Sequence, residues 1–388
     1  MNIFSKRVNT GQRGLIAVML LFICFLILLS APTQRPEPKV TFIPNPSPTH
    51  VEKDYKELVE AGMIPYKVND EITISLGLLL VGDRDGNIFI LDRGERIIKF
   101  DKDHKFIKTF GKAGDGPGEF RPTPGYNEIW ASSKGNIYIS DVNGEKMITF
   151  DNDGNHTGDL VFPASGKFPV GGGFVPAVTS DGYLYVRNTM GCTLDVCNIN
   201  DKPLRLHTRL LGKEDCEPCL FERNFGDMEK DLWSRFNPRK TFYDLFAGDR
   251  LLVYLAQAST AYIFDKHNLV KKFDLRPKDA LELYRRKIEA AAKYGSGGIP
   301  DDTMLFTNFF VDKDNDNLFY LECRVDKDQN TPKRMLYKFN VDGELLGVLY
   351  VTERVQFRGK LNHRFYAISK EGIRIYKEAD TKSGLEKQ

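Results

Sequence analysis

The sequence predicts an all-β chain: a six-bladed β-propeller that follows an N-terminal transmembrane helix and carries one short inserted helix. Three observations predict it. A pattern of short strands and tight turns recurs at a spacing near 50 residues. An uncharged apolar run stands close to the N-terminus. The composition, with 27 Phe, 16 Tyr and 33 Gly among 388 residues, favours short aromatic-rich strands joined by turns.

In chain order, the membrane segment comes first. Gly14 to Ala31 is an 18-residue stretch without a charge, and Lys6, Arg7 and Arg13 precede it with no acid among them. That length suffices for one helical pass through the hydrocarbon core. The basic flank stays in the cytoplasm and sends everything after Ala31 outside. Two fates are open. The segment is an uncleaved signal anchor, or it is a signal peptide removed at a poor site, since Leu29 and Ala31 do not form a small-x-small pair and Pro32 follows. Residues 32–69 read as a linker. Pro32, Pro36, Pro38, Pro44, Pro46 and Pro48 crowd its first half and favour extended polyproline over helix or ladder. At ~3.1 Å per residue the proline-rich part is a stalk of roughly 50 Å.

The repeat begins at residue 81. Gly86-Asn87-Ile88-Phe89-Ile90-Leu91-Asp92 lies parallel to Gly135-Asn136-Ile137-Tyr138-Ile139-Ser140-Asp141, and then to Gly182-Tyr183-Leu184-Tyr185-Val186-Arg187-Asn188. The offsets are 49 residues from Asp92 to Asp141 and 47 from Asp141 to Asn188. Weaker copies occupy 245–275, 307–351 and 355–377. Each copy reads as four short strands. No copy can bury both faces of its sheet alone, so the copies must stack, and four-stranded units at this period make a propeller. The sixth copy lacks its outer strand. Glu71 to Leu76 is a spare strand, and pairing it with the sixth copy closes the ring; removal of residues 70–77 is then expected to destabilise the whole domain. The propeller is thus placed at 70–378, with 379–388 as a tail.

The segment Phe110-Gly111-Lys112-Ala113-Gly114-Asp115-Gly116-Pro117-Gly118-Glu119-Phe120 resembles the linker between blades in NHL-repeat propellers, and the strands on both sides are similar too. The chain therefore resembles exported six-bladed propellers of the NHL kind. The resemblance implies a fold. It does not select a function, because such propellers include binding scaffolds, sensors and a few lyases or lactonases.

Two insertions lengthen the later units, at 213–241 and 276–305. In the second, Leu281, Tyr284, Ile288 and Ala291 fall at helical spacing between Pro277 and Gly295, which marks an amphipathic helix. It serves as a brace on the ring or as a lid or docking element. Both insertions join an outer strand to the next inner strand, so both lie on one face. The turns after the second strand of each blade share that face, and a ligand site is placed there.

Six cysteines are present, with Cys24 in the membrane segment. Cys197 aligns with Ile98 and Ile148 and reads as a buried apolar thiol. Cys192, Cys216 and Cys219 are disulfide candidates in an oxidising compartment: Cys192 with either of the others, or Cys216 with Cys219. Free thiols and a zinc site remain alternatives.

Catalytic motifs are lacking. The six histidines form no His-x-His or His-Glu-x-x-His pair. His104, His156 and His267 align with outer-strand turns, where exposure is the default. Asp312-x-Asp314-x-Asp316 begins like a calcium loop, but no Gly and no closing acid follow in register, and it aligns with an ordinary lengthened blade turn. The glycines of 111–118 precede no Lys-Ser/Thr and no helix, so they are not a phosphate cradle. No catalytic residue, metal or cofactor is assigned. Polar groups gather on the expected binding face: Arg93, Arg96, Asn143, Lys146, Arg187, Asn188 and Arg324. As a set they suit an anionic or sugar-like ligand; individually they are turn residues in water. Lys plus Arg is 55 against 53 acids, which gives no drive toward nucleic acid. The sequence thus reads as a membrane-tethered extracytoplasmic module, periplasmic or at the cell surface, that binds an envelope protein or a small molecule. The other reading is a lyase- or lactonase-type enzyme working in the central channel.

Overall fold

The computed structural model describes residues 41–43, 55–75, 79–92, 95–121, 128–132, 134–141, 146–161, 177–188, 193–201, 206–211, 241–246, 249–255, 260–275, 306–324 and 334–379. Among the described residues the regular elements are strands. The proposed membrane segment 14–31 and the insertions 213–241 and 276–305, with the expected helix, lie outside the described residues or almost entirely so. Among the described residues no helix is long and apolar enough to cross a membrane.

Two strands, β1 (Thr41–Ile43) and β2 (Tyr55–Pro65), precede six antiparallel sheets. Blade 1 is β3 (Leu79–Gly82), β4 (Ile88–Asp92), β5 (Arg96–Phe100) and β6 (Phe106–Phe110). A small parallel pair, β7 (Lys112–Ala113) and β8 (Glu119–Phe120), leads on to blade 2. Blade 2 is β9 (Ile129–Ala131), β10 (Ile137–Asp141), β11 (Lys146–Phe150) and β12 (His156–Val161). Blade 3 is β13 (Ala177–Val178), β14 (Tyr183–Asn188), β15 (Thr193–Asn198) and β16 (Leu206–Leu211). Blade 4 is β17 (Thr241–Leu245), β18 (Leu251–Leu255), β19 (Thr260–Asp265) and β20 (Asn268–Asp274). Blade 5 is β21 (Phe306–Val311), β22 (Leu318–Arg324), β23 (Arg334–Asn340) and β24 (Leu345–Val351). Blade 6 has β25 (Gln356–Leu361), β26 (Arg364–Ile368) and β27 (Gly372–Glu378).

The middle strands are apolar on both sides because both sides are covered. In β4, Ile88 and Ile90 pack with Tyr366, Ile373 and Ile375 of blade 6, whereas Phe89 and Leu91 pack with Ile137, Ile139 and Ile148 of blade 2. The period of two along a strand sends alternate residues to opposite neighbours. The repeated positions keep this sense: Ile88 faces blade 6, and its counterpart Ile137 faces blade 1. Cys197 is fully buried in the cluster that joins blades 2, 3 and 4, as its alignment predicts, and burial pushes its thiol up to about 12.

The closing strand differs from the expected one. Leu58–Pro65 of β2 pairs antiparallel with β27 and supplies the fourth strand of blade 6. The expected strand, 71–76, instead belongs to a tight return: Ile74 N–H donates to Tyr66 O at 2.7 Å, and the Ile74 side chain plugs the seam between blades 6 and 1. The reason is partly register. The bulge between Glu60 and Gly62 reverses the alternation, so Leu58 is buried in the seam between blades 5 and 6 and Ile64 in the seam between blades 6 and 1. The propeller therefore starts within the stretch that the sequence assigns to the linker. That stretch also forms ladder, contrary to expectation. Thr41–Ile43, free of proline, pairs in parallel with β20, and Tyr55–Glu57 pairs in parallel with β24. The N-terminal segment thus runs along the outer edges of blades 4, 5 and 6 in turn and covers edges that would otherwise be open.

The turns after the first and third strand of each blade emerge on one face, here the turn face. Six of them share one design. The first residue's N–H donates to the fifth residue's carbonyl, and the fourth residue's N–H donates back to the first residue's carbonyl, in 83–87, 101–105, 132–136, 151–155, 179–183 and 340–344. The fourth residue (Gly86, His104, Gly135, Gly154, Gly182 or Gly343) has positive φ. The first (Asp83, Asp101, Ser132, Asp151, Thr179 or Asn340) accepts the fifth residue's N–H on its side chain at 2.8–3.2 Å. This is a type I turn closed by a left-handed residue, stapled by a short acceptor side chain.

Hydrogen bonds link these turns around the ring. Lys99 reaches Asn152 O, Lys134 reaches Ser180 O, and Ser180 N–H donates to Asp249. Lys313 bonds Asp244, Asn362 N–H donates to Asp314, and Asn362 Nδ2 donates to Gly86 O. All six seams are bridged. His104 is no exposed turn residue: its Nε2 lies 3.0 Å from Tyr366 Oη across the seam between blades 1 and 6. Burial, with Arg364 beside it, holds the imidazole below the usual histidine range.

Two outcomes follow. Ile64→Ala, which empties the seam next to the closing strand, lowers stability by about 2–5 kcal/mol in denaturant titration. Because His104 is held neutral in the fold, its contribution is complete above the unfolded value of 6.5 and is lost as pH falls through and below it. His104→Asn, which retains a residue tolerant of positive φ, therefore shows a shallower loss of stability between pH 7.5 and 5.5 than the parent chain.

Candidate functional site

The first strands of the blades surround a central channel. Blades 1, 2, 4, 5 and 6 line a cavity of about 480 Å³. Its walls mix apolar side chains with a few polar ones, the usual chemistry of a small-molecule pocket.

Toward the turn face the channel is flanked by ion pairs. Asp244 accepts Lys313 Nζ at 2.7 Å and Val311 N–H at 3.0 Å, and the same ammonium sits 5.1 Å from the centre of the Trp130 ring. Asp312 accepts Lys360 Nζ at 2.7 Å and Tyr320 Oη at 3.2 Å. Asp314 accepts the N–H groups of Asn362 and His363 at 2.7 and 2.6 Å. The oxygens of Asp312 and Asp314 in the Asp-x-Asp-x-Asp run therefore serve a clamp between blades 5 and 6. Among the described residues no group of three or more potential metal ligands is assembled.

The opposite face carries the turns after the second strands and the connections between blades, and is here the loop face. A repeated device sits below it. An acid at or near the end of the second strand in three blades accepts the backbone N–H of an incoming connection or inner strand: Asp92 from Ser75 at 2.7 Å, Asp141 from Arg121 at 3.1 Å, and Glu322 from Phe357 at 3.4 Å. All three acids are buried. In blades 1 and 5 the first residue of the third strand adds a guanidinium: Arg96 Nε to Asp92 at 3.2 Å and Arg334 Nε to Glu322 at 3.4 Å.

This device accounts for two residues of the sequence-derived set. Arg96 also donates to Thr73 O at 2.9 Å, and Lys146 holds Gly116 O and Asp159, each at 3.3 Å. Both clamp connections. The backbone sets Arg187 and Asn188 at the end of β14 and Arg324 at the end of β22. Arg93, Asn143, Cys192, Cys216 and Cys219 lie outside the described residues. The glycine-rich 111–118 segment folds on itself: Gly116 N–H donates to Glu119 Oε2 at 3.0 Å, and Phe120 is buried against blade 2.

Sequence reasoning missed the channel residues at the loop-face end, of which Arg358 is central. It lies on β25, where the register shifts between Phe357 and Gly359. Its Nη2 donates to Gln356 Oε1 at 3.1 Å, its Nε is buried without a partner, and Glu322 and Glu128 act on it electrostatically. Glu322 is fully buried, and burial pushes its carboxyl up to about 7 against the pull of Arg334 and the Phe357 N–H. One signal was available in the sequence: Asn317 to Glu322 repeats the pattern of Asn87 to Asp92, with Glu in place of Asp.

The arrangement defines a class: a six-bladed β-propeller with a ligand-sized polar and apolar channel. Comparison with known proteins agrees on the fold. The DUF5128 family model, a 6-bladed beta-propeller, matches residues 43–199. A crystal structure from Bacteroides fragilis, described as that of an exported protein, superposes with a TM-score of 0.52 at 13% identity, over 88% of this chain and 100% of that one. A DUF4221 family member from Bacteroides vulgatus superposes with a TM-score of 0.51 at 10% identity, over 83% and 99%. The virginiamycin B lyase of Staphylococcus aureus reaches only 0.42 at 9% identity, over 78% and 80%, and carries no argument about chemistry. No curated protein matches the sequence.

The raised Glu322 has a signed consequence. Its ionisation is disfavoured in the fold, so its contribution is complete below the unfolded value of 4.5 and is lost as pH rises through about 7. Between pH 5 and 8, Glu322→Gln therefore gains stability relative to the parent, whatever the absolute offset between the two.

Proposed function

We propose that this chain is a membrane-tethered, extracytoplasmic binding module that meets its partners through the loop face, with the channel as the small-molecule part of that surface. The observation that carries this reading is the unequal design of the two faces. The turn face is paved with one five-residue turn repeated six times and is bonded into a ring. The outer strands β12, β16 and β20 end on the loop face, and the sequence between each and the next described strand is long. The uncharged run from Gly14 to Ala31 behind a basic flank supports tethering and export. The Phe110–Phe120 segment supports the NHL kind of blade linker.

Binding is favoured over catalysis by the channel's own charges. Asp244, which lines the cavity, pairs with Lys313, Asp312 beside it pairs with Lys360, and among the described residues no histidine lines the cavity. The carboxylates held by lysine have their charge committed to a structural ion pair.

Site-specific photo-crosslinking of the full chain in native envelope membranes tests the reading. Probes replacing Glu95 and Val161, exposed on the loop face, are expected to give discrete adducts, and probes replacing Lys102 and Asp153 on the turn face are expected to give none. Adducts from the turn face alone, or from neither face, contradict it.

A further inference from the structure

We propose that the channel binds a small organic monocarboxylate, its carboxylate on Arg358 and its apolar or aromatic body against the walls formed by Leu79, Ile129 and Phe309. This deepens the binding reading above and rests on the channel as its small-molecule site.

The charge on Arg358 is the first support. A guanidinium in a low-dielectric site needs acceptors, and an unmet one is costly. The acceptor bonded to Arg358 is a neutral amide oxygen, that of Gln356. The nearby buried Glu322 takes Arg334 Nε and the Phe357 N–H on one oxygen, its other oxygen has no hydrogen-bond partner, and it acts on Arg358 electrostatically without a hydrogen bond to it. Arg358 is largely buried, with a partly exposed side chain that lines the cavity.

Space is the second support. Next to Arg358, a Cβ added at Gly359 would meet nothing within 4 Å, and Gly359 also lines the cavity. The cavity of about 480 Å³ falls within the ~300–1,000 Å³ range of small-ligand pockets. A fork of guanidinium N–H donors beside open space matches a planar carboxylate in bidentate geometry.

The sign and size of the anion follow from the surroundings. Glu128, at the start of blade 2, lies near enough to act on Arg358. With Glu128 and Glu322 both acting on this guanidinium, each added negative charge on a ligand brings repulsion that a single arginine offsets only in part. A phosphate dianion is therefore disfavoured relative to a carboxylate. The walls favour an apolar body: Leu79, Ile129 and Phe309 line the cavity, the last held rigid by its stacking on Tyr254 at 5.7 Å.

The test uses the full chain in lipid nanodiscs and isothermal titration with benzoate, phenylacetate and 3-phenylpropionate, their three amides, and phenyl phosphate. At least one acid is expected to saturate at one per chain, with its amide tenfold weaker or more and phenyl phosphate weaker than the acid. Arg358→Gln is expected to bring acid and amide to the same level. Gly359→Leu, which keeps the charge and fills the space, is expected to abolish binding of both. The acid–amide comparison on the unaltered chain stands if Arg358→Gln does not fold. Equal binding of acid and amide overturns the carboxylate assignment and leaves the channel as a site. No saturation by any acid, or full-strength binding by folded Gly359→Leu, overturns the proposal. The face reading is decided separately by the crosslinking.

Discussion

Everything in this fold depends on the fact that a blade cannot cover itself. A four-stranded sheet whose middle strands read Ile-Phe-Ile-Leu has two apolar faces and no polar one. Burial of such side chains contributes on the order of 1.5–3 kcal/mol each, and only a neighbour on each side can supply it. The clusters that result belong to seams: one between blades 6 and 1, one between 1 and 2, another joining 2, 3 and 4. A ring is the arrangement in which every seam is filled and no end blade is left with an uncovered face.

The ring needs a latch, and the chain provides it from its own beginning. β2 completes blade 6, so the last blade is made from both ends of the propeller sequence. The latch is part of a longer girdle that touches the rims of blades 4, 5 and 6. On the turn face, stapled turns and lysines bridge every seam. The rigid scaffold leaves the loop face and the channel as the places where residues are set by something other than packing. Arg358 is the clearest case, since its charge does nothing for the apolar core around it.

The sequence made the strands and turns legible because their causes are local. Gly86, Gly135 and Gly182 mark left-handed turn positions, and the apolar runs that follow them mark strands covered on both sides. Cys197 could be placed in the core by alignment alone. The latch was not legible. Leu58 and Ile64 sit among Glu57, Glu60 and Met63 with no turn signal, while Glu71 to Leu76 alternates like a strand; only the tertiary seam distinguishes them. The channel was hidden for a related reason. Arg358 and Glu128 come from blades 6 and 2, far apart in sequence, and their meeting is a product of ring closure. The basic set on the loop face was read from composition of turns, and its members Arg96 and Lys146 prove to be clamps because acids and carbonyls lie within their reach.

If the blades stand or fall together through this latch, native-state hydrogen exchange on the full chain measures it most directly. The account predicts that the amides of Ile375 and Tyr376 in β27 exchange with the same high opening free energy as those of Ile90 and Ile139 in the middle strands of blades 1 and 2. Blade 6 amides that exchange orders of magnitude faster, while blades 1 and 2 remain protected, would contradict it.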